Sequence, residues 1–134
     1  MVAPLTLYLL RHGDVHNPDH ILYGRMPNFG LSKTGRDQAS AAGKALADKP
    51  MTALYASPMQ RAQETATLIK DAHSAVYEVN TDERLNEVYT PFDGTPHAEL
   101  EKTNFDIYSG TEPPHEQPLD VRRRVREWIA EMRE

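Results

Sequence analysis

The sequence predicts an α/β domain with a mainly parallel sheet flanked by helices. Three observations predict it. Short apolar runs at Leu5–Leu10 and Met51–Ala56 each precede a segment with helical spacing. A weaker run, Ala75–Val79, follows the second helical segment. Alternation of this kind builds parallel sheets. The length of 134 residues, with 39% hydrophobic and 26% charged residues, suits one globular domain over residues 1–134.

Leu5-Thr6-Leu7-Tyr8-Leu9-Leu10 is apolar on both faces, the pattern of a central, fully buried strand. From Asp14 to Gly30 the chain is irregular, with Pro18, Gly24, Pro27 and Gly30, and loops of that length tend to carry function. Leu31-Ser32-Lys33-Thr34-Gly35 opens a helix in which Ala39, Ala42, Gly43, Leu46 and Ala47 recur at helical spacing, and Pro50 stops it. Met51–Ala56 reads as a second strand. Ser57 is a natural N-cap, with Pro58 at the first helical position and Gln60 placed for a capping box. Ala62, Thr65, Ala66 and Ile69 form that helix's inner face.

Ala75–Val79 reads as a third strand, Asp82–Gly94 as loop with a short helical turn, and Pro96–Asn104 as helix. Thr111–Pro118 is a proline-rich loop. Val121, Val125, Trp128, Ile129 and Met132 define one face of a last helix that runs to the end of the chain. Arg122, Arg123, Arg124 and Arg126 then form its solvated face.

Composition excludes several classes. Without cysteine there are no disulfides, thiolate nucleophiles or Cys-ligated metals, as expected of a cytoplasmic protein. A net charge of −5 provides no global basic field for nucleic acid. The longest apolar run, Leu7–Leu10, is far short of the roughly 20 residues of a membrane span. Met1-Val2-Ala3-Pro4-Leu5 lacks the basic and apolar regions of a secretory leader.

In parallel sheets ligands bind at the carboxyl ends of the strands. Arg11-His12-Gly13 follows the first predicted strand and Ser57 to Arg61 the second. Parallel strands would place Arg11, His12 and Arg61 on one rim. Leu9-Leu10-Arg11-His12-Gly13 with Asn17 and Leu31–Arg36, together with Tyr55-Ala56-Ser57-Pro58-Met59-Gln60-Arg61-Ala62, resembles the histidine phosphatase superfamily, also called phosphoglycerate mutase-like. The resemblance is good from Leu5 to about Gly94 and weaker through the last helix. It implies a three-layer α/β fold and a cofactor-free, metal-free phosphatase or mutase acting on a small phosphorylated substrate.

The chemistry is intelligible from the residues. A phosphate dianion repels nucleophiles until its charge is neutralised, and the planar fork of Arg suits its oxygens. The resemblance gives His12 the role of nucleophile, forming a phosphohistidine, and gives Arg11 and Arg61 the phosphate contacts. Asn17 is a further phosphate contact, one residue closer to the histidine than is usual in the family. Arg84-Leu85-Asn86-Glu87 before Phe92-Asp93-Gly94 resembles the family segment with an acidic residue, which makes Glu87 the general acid and then the base on water. Water as final acceptor gives a phosphatase; a substrate hydroxyl gives a mutase.

Two departures stand out. Asp14-Val15 replaces the Glu-Thr common after Arg-His-Gly. The family's second catalytic histidine lies on a strand after a helix like Val121–Met132, and none of His16, His20, His73, His97 or His115 has that context. The domain is therefore expected to be incomplete at its C-terminus, slow as a catalyst and inclined to pair with another copy. Two other classes stay open: a family member that binds phosphate but turns over poorly, and a metal-dependent phosphoesterase. His12-Gly13-Asp14-Val15-His16 suggests the latter, but its downstream motifs are missing.

Overall fold

The computed structural model describes residues 4–134. The first three residues, on which part of the leader reading falls, lie outside the described residues. The chain forms two compact units. One consists of Arg11–Pro18 and Met26–Asn86; the other takes in the stretch up to Leu10, Asp19–Arg25 and Glu87–Glu134.

The first unit holds two helices, α1 (Lys33–Leu46) and α2 (Gln60–Ala72), and two short strands, β1 (Tyr55–Ala56) and β2 (Asn80–Thr81). The strands pair in parallel, Tyr55 with Asn80 and Ala56 with Thr81. Parallel strands need a crossover, and α2 supplies it, so β1-α2-β2 is a βαβ unit. This is the parallel sheet flanked by helices that the sequence predicts. Ser32 caps α1 as expected, accepting from the Gly35 N–H at 3.0 Å. The two helices pack closely because Gly43 has no side chain: a Cβ there would lie 3.1 Å from both the Ala72 Cβ and the Leu68 carbonyl. Ala39 of α1 and Ala66 and Ile69 of α2 are buried.

Several elements differ from expectation. Residues 5–10 are in no strand, and Leu9 is 85% exposed. A run apolar on both faces is central only when both its edges are hydrogen-bonded and both faces covered. Neither holds here among the described residues. The second strand shrinks to its last two residues. The third forms after Ala75–Val79, because its register is set by bonds from the Asn80 N–H to the Leu54 carbonyl at 2.9 Å and from Asp82 to Ala56 at 3.0 Å. Alternation in that segment is nonetheless real, with Val76 buried and Tyr77 exposed. Ser57 does not cap α2. Met59 is the N-cap, with extended backbone, because the Ser57 hydroxyl accepts only two residues on, from the Met59 N–H at 3.4 Å.

In the second unit, 20–22 run antiparallel to 94–97. Leu22 and Thr95 bond at 2.8 Å, Gly94 and Leu22 at 2.7 Å, and His97 and His20 at 2.8 Å. The helix α3 is His97–Glu101, shorter than expected, with Leu100 buried. The last helix, α4, is Pro118–Met132, with Pro118 in its first turn and Trp128 buried. The Asp120 carboxylate accepts from the Gln117 N–H at 2.8 Å and closes its N-terminus. Among the described residues no helix is long and apolar enough to cross a membrane.

Candidate active site

Arg11, His12, Asn17 and Arg61 all belong to the first unit, and Glu87 to the second. Within the first unit the geometry starts from glycine. A Cβ on Gly13 would collide with the Gly35 carbonyl, and one on Gly35 with the Asp14 carbonyl. The chain after His12 therefore runs directly against the first turn of α1, as only glycine permits. Val15 and Leu31 form an antiparallel bridge, and the Ser32 N–H donates to the Asp14 carbonyl at 2.9 Å. The Ser32 hydroxyl also donates to the Asp14 carboxylate at 2.6 Å.

The same segment is tied to α2. The Gly13 N–H donates to Thr65 Oγ1 at 3.1 Å, and Thr65 Oγ1 donates to the Arg61 carbonyl at 2.8 Å. Thr65 lies one helical turn after Arg61, on the same face. Arg61 is 3% exposed. Glu64, the residue before Thr65 on that helix, accepts from the Leu31 N–H at 3.1 Å and pairs with Arg36 of α1 at 2.9 Å. Loop, α1 and α2 are thus fastened around His12.

The His12 Nδ1 lies 2.7 Å from the Gly13 carbonyl. A carbonyl oxygen only accepts, so this is a hydrogen bond when the proton sits on Nδ1. In the neutral ring the lone pair is then on Nε2. His12 and Asn17 are half-buried and Arg11 is exposed.

In the second unit Glu87 is exposed, and its Oε1 accepts from the Val88 N–H at 2.9 Å. Its carbonyl accepts from Arg25 Nε at 2.7 Å and from Arg124 Nη2 at 3.3 Å. Both arginines pair with Glu116, Arg25 at 3.3 Å and Arg124 at 2.7 Å. Burial on its own would raise the Glu116 pKa, but hydrogen bonds from Arg124 and the Tyr89 N–H and the charges of both arginines outweigh it. The carboxyl is held below the usual glutamate range. Arg124 therefore corrects the reading of α4's arginines as one solvated face. Its side chain is 14% exposed because Glu116 takes it inward, whereas Arg123 stays 71% exposed.

Three other histidines have local roles. His73 Nε2 lies 2.8 Å from the Lys49 carbonyl and its Nδ1 accepts from the Ala75 N–H at 3.1 Å, which pins the end of α2. His115 stacks on Tyr89, and His97 meets the edge of Phe105. The Asp14 carboxylate, part of the suggested metal motif, is held by Ser32. Among the described residues no group of three His, Asp or Glu side chains could hold a metal ion.

Helical spacing puts Thr65 on the inner face of α2 but does not reveal its bond to Gly13. The available signal was its spacing from Arg61, one turn along α2. The pairing of Arg25, Glu116 and Arg124 has no local signal, since the partners come from separate segments.

The family model for the histidine phosphatase superfamily, branch 1, matches residues 7–134. An uncharacterised protein of Mycobacterium tuberculosis, Rv0525, is 51% identical over 82 residues, covering 61% of this chain and 41% of that protein. Fructose-2,6-bisphosphatase TIGAR of Xenopus tropicalis is 30% identical over 136 residues, covering 96% of this chain and 50% of its own. Mycobacterial glucosyl-3-phosphoglycerate phosphatase, solved with inorganic phosphate, superposes with a TM-score of 0.71 at 26% identity, over 90% of this chain and 59% of that one. The chain thus spans about half the length of these relatives, and its architecture is phosphoglycerate mutase-like. A match running from residue 7 to residue 134 makes the chain a member of the histidine phosphatase superfamily, branch 1.

Proposed function

We propose that this chain is a phosphomonoester phosphohydrolase that works through His12. The observation that carries this reading is the bond from the Gly13 N–H to Thr65 Oγ1. It fastens the residue beside His12 to the helix whose first turn bears the buried Arg61. The relatives named as phosphatases, one of them solved with inorganic phosphate, support a small phosphorylated substrate.

Arg11 and Arg61 neutralise the phosphate dianion, and Asn17 adds a donor. His12 Nε2 attacks phosphorus, so the N–P bond forms as the ester P–O bond breaks. The leaving alkoxide takes a proton from Glu87. Water then attacks the phosphohistidine and gives its proton to the Glu87 carboxylate, which releases inorganic phosphate and neutral His12. The reaction balances with these side chains and water alone. The role of Glu87 rests on its sequence context.

The test is a labelled phosphomonoester with an alkaline quench. Acid-labile phosphate on His12, lost in His12→Ala, is the expected result. Label on a serine, or an undiminished rate in His12→Ala, would overturn it. Phosphate binding without any phosphoenzyme would instead describe a family member that turns over poorly. The same assay with EDTA separates this reaction from metal-dependent hydrolysis, because a rate lost to the chelator would need a bound cation.

A further inference from the structure

We infer that Arg25, Glu116 and Arg124 are positioning residues that clamp the main chain of Glu87 and so set where its carboxyl group can reach. The inference rests on the proposed role of Glu87 as proton donor. The clamp closes on the Glu87 carbonyl, which takes Arg25 Nε at 2.7 Å and Arg124 Nη2 at 3.3 Å. A single carboxylate holds both cations. Glu116 Oε1 bonds Arg25 Nη2 at 3.3 Å and Arg124 Nη2 at 3.1 Å, and Glu116 Oε2 bonds Arg124 Nε at 2.7 Å. Glu116 also reaches the Glu87 loop itself. Its Oε1 accepts from the Tyr89 N–H at 2.8 Å, and its own N–H donates to the Tyr89 carbonyl at 2.8 Å.

Arg25 is itself held from behind. The Asp93 carboxylate accepts its N–H at 3.0 Å and fills the space where a Cβ on Gly24 would stand, a residue with φ of +43°. The Arg25 guanidinium lies 5.2 Å from the centre of the Tyr89 ring. Three segments, those bearing Arg25, Glu116 and Arg124, therefore converge on the loop that carries Glu87.

A structural tie alone would not need this aim. Two guanidinium groups share the Glu116 carboxylate, and each also directs an N–H away from it. Arg25 Nε and Arg124 Nη2 meet at a single carbonyl, that of Glu87. A general acid must meet its leaving oxygen within hydrogen-bond reach, and a misplacement of about 1 Å can cost about 100-fold. On an exposed loop the chain has to be fixed from beneath, which is what positioning by a supporting shell means. Both arginines bond the Glu87 carbonyl, whereas its Oε1 accepts from the Val88 N–H at 2.9 Å.

Glu116→Gln is the direct variant, because it keeps the shape and removes the charge that holds both arginines. Arg25→Lys, which keeps charge and loses the fork, is the second should the first unfold. Exposed Arg123→Ala, on the same helix, is the control. Two readouts are needed. Amide hydrogen exchange at Glu87–Tyr89 should quicken in both clamp variants and not in the control. Turnover of alkyl phosphates should fall about tenfold while aryl phosphates fall far less, with KM little changed, since a good leaving group departs without a proton. Unchanged exchange at Glu87–Tyr89 would overturn the clamp even if the chain turned over no ester. Equal loss on alkyl and aryl esters would overturn the positioning role. Glu87→Gln is assayed alongside. If it shows no alkyl–aryl difference, the reading of Glu87 as acid fails, and the positioning role with it. If it shows one and the clamp variants do not, the clamp proposal fails alone.

Discussion

Gly13 donates its main-chain N–H to the hydroxyl of Thr65 at 3.1 Å, across 52 positions of sequence. Both residues are buried, so the bond has no replacement from water. Thr65→Val keeps the shape and removes the acceptor. A buried donor left unpaired costs about 1–3 kcal/mol. The expected outcome is a lower unfolding midpoint together with weaker phosphate binding, because the chain beside His12 loses its tie to α2. Thr65→Ser should retain both. Identical behaviour of the valine and serine variants in calorimetry would show that the bond does not hold the site.

Gly35→Ala should act on the site through the backbone. The new Cβ would meet the Asp14 carbonyl and main chain, which no side-chain rotation relieves. The chain after His12 must move or α1 must unwind its first turn. Positioning errors of about 1 Å can cost about 100-fold in rate. A phosphomonoester assay at full folding, checked by circular dichroism, measures this. Undiminished turnover would mean that the close approach of the two glycines does not set the geometry of His12.

Arg61→Ala should weaken phosphate binding far more than Arg123→Ala. Charge-assisted hydrogen bonds are worth about 1.5–3 kcal/mol each, or roughly 10- to 150-fold in affinity. Arg123 is 71% exposed, and such a residue contributes little. Isothermal titration with inorganic phosphate compares the two. Equal affinities would make Arg61 a purely structural buried cation.

The sequence was most legible where local chemistry acts. Ser32 before α1, the small residues along α1 and α2, and Arg61 in the first turn of α2 follow from capping and periodicity. The expected rim lacks its first strand, because Leu5–Leu10 forms none, and what joins the segment with His12 to α2 is instead the bond between Gly13 and Thr65. Legibility failed where a partner decides. Leu5–Leu10 has strand composition, but composition does not provide an edge to pair with. The arginines of α4 have one charge pattern, yet Glu116 draws in Arg124 and leaves Arg123 in water. Ser57-Pro58 reads as a helix start, but the serine hydroxyl is used by the turn before it.

Glu116 links stability to acid pH. Its folded pKa lies below the ordinary value of 4.5, so on acidification the unfolded chain takes up its proton first. The contribution is fully present above the ordinary glutamate range and is lost as pH falls through the depressed value. Urea midpoints measured from neutral pH down to about pH 3 should fall more steeply for the native chain than for Glu116→Gln. Parallel curves would mean that the two arginines do not favour the ionised form.

The strand expected at Leu5–Leu10 yields the sharpest contrast in stability. Leu9 is 85% exposed, whereas Ile69 of α2 is 3% exposed. Leu9→Ser removes an apolar side chain that water already surrounds, so it should lie within about 0.5 kcal/mol of the native chain. Ile69→Ala empties a packed position and should cost about 2–5 kcal/mol. Both are read from urea unfolding, with the slope of the transition checked for constancy. Leu5, Tyr8 and Leu10 are partly exposed as well, so Leu9 sits in an apolar patch that has no charge from Leu5 to Leu10. A loss at Leu9 as large as that at Ile69 would show that this run is covered in solution, as a central strand would be.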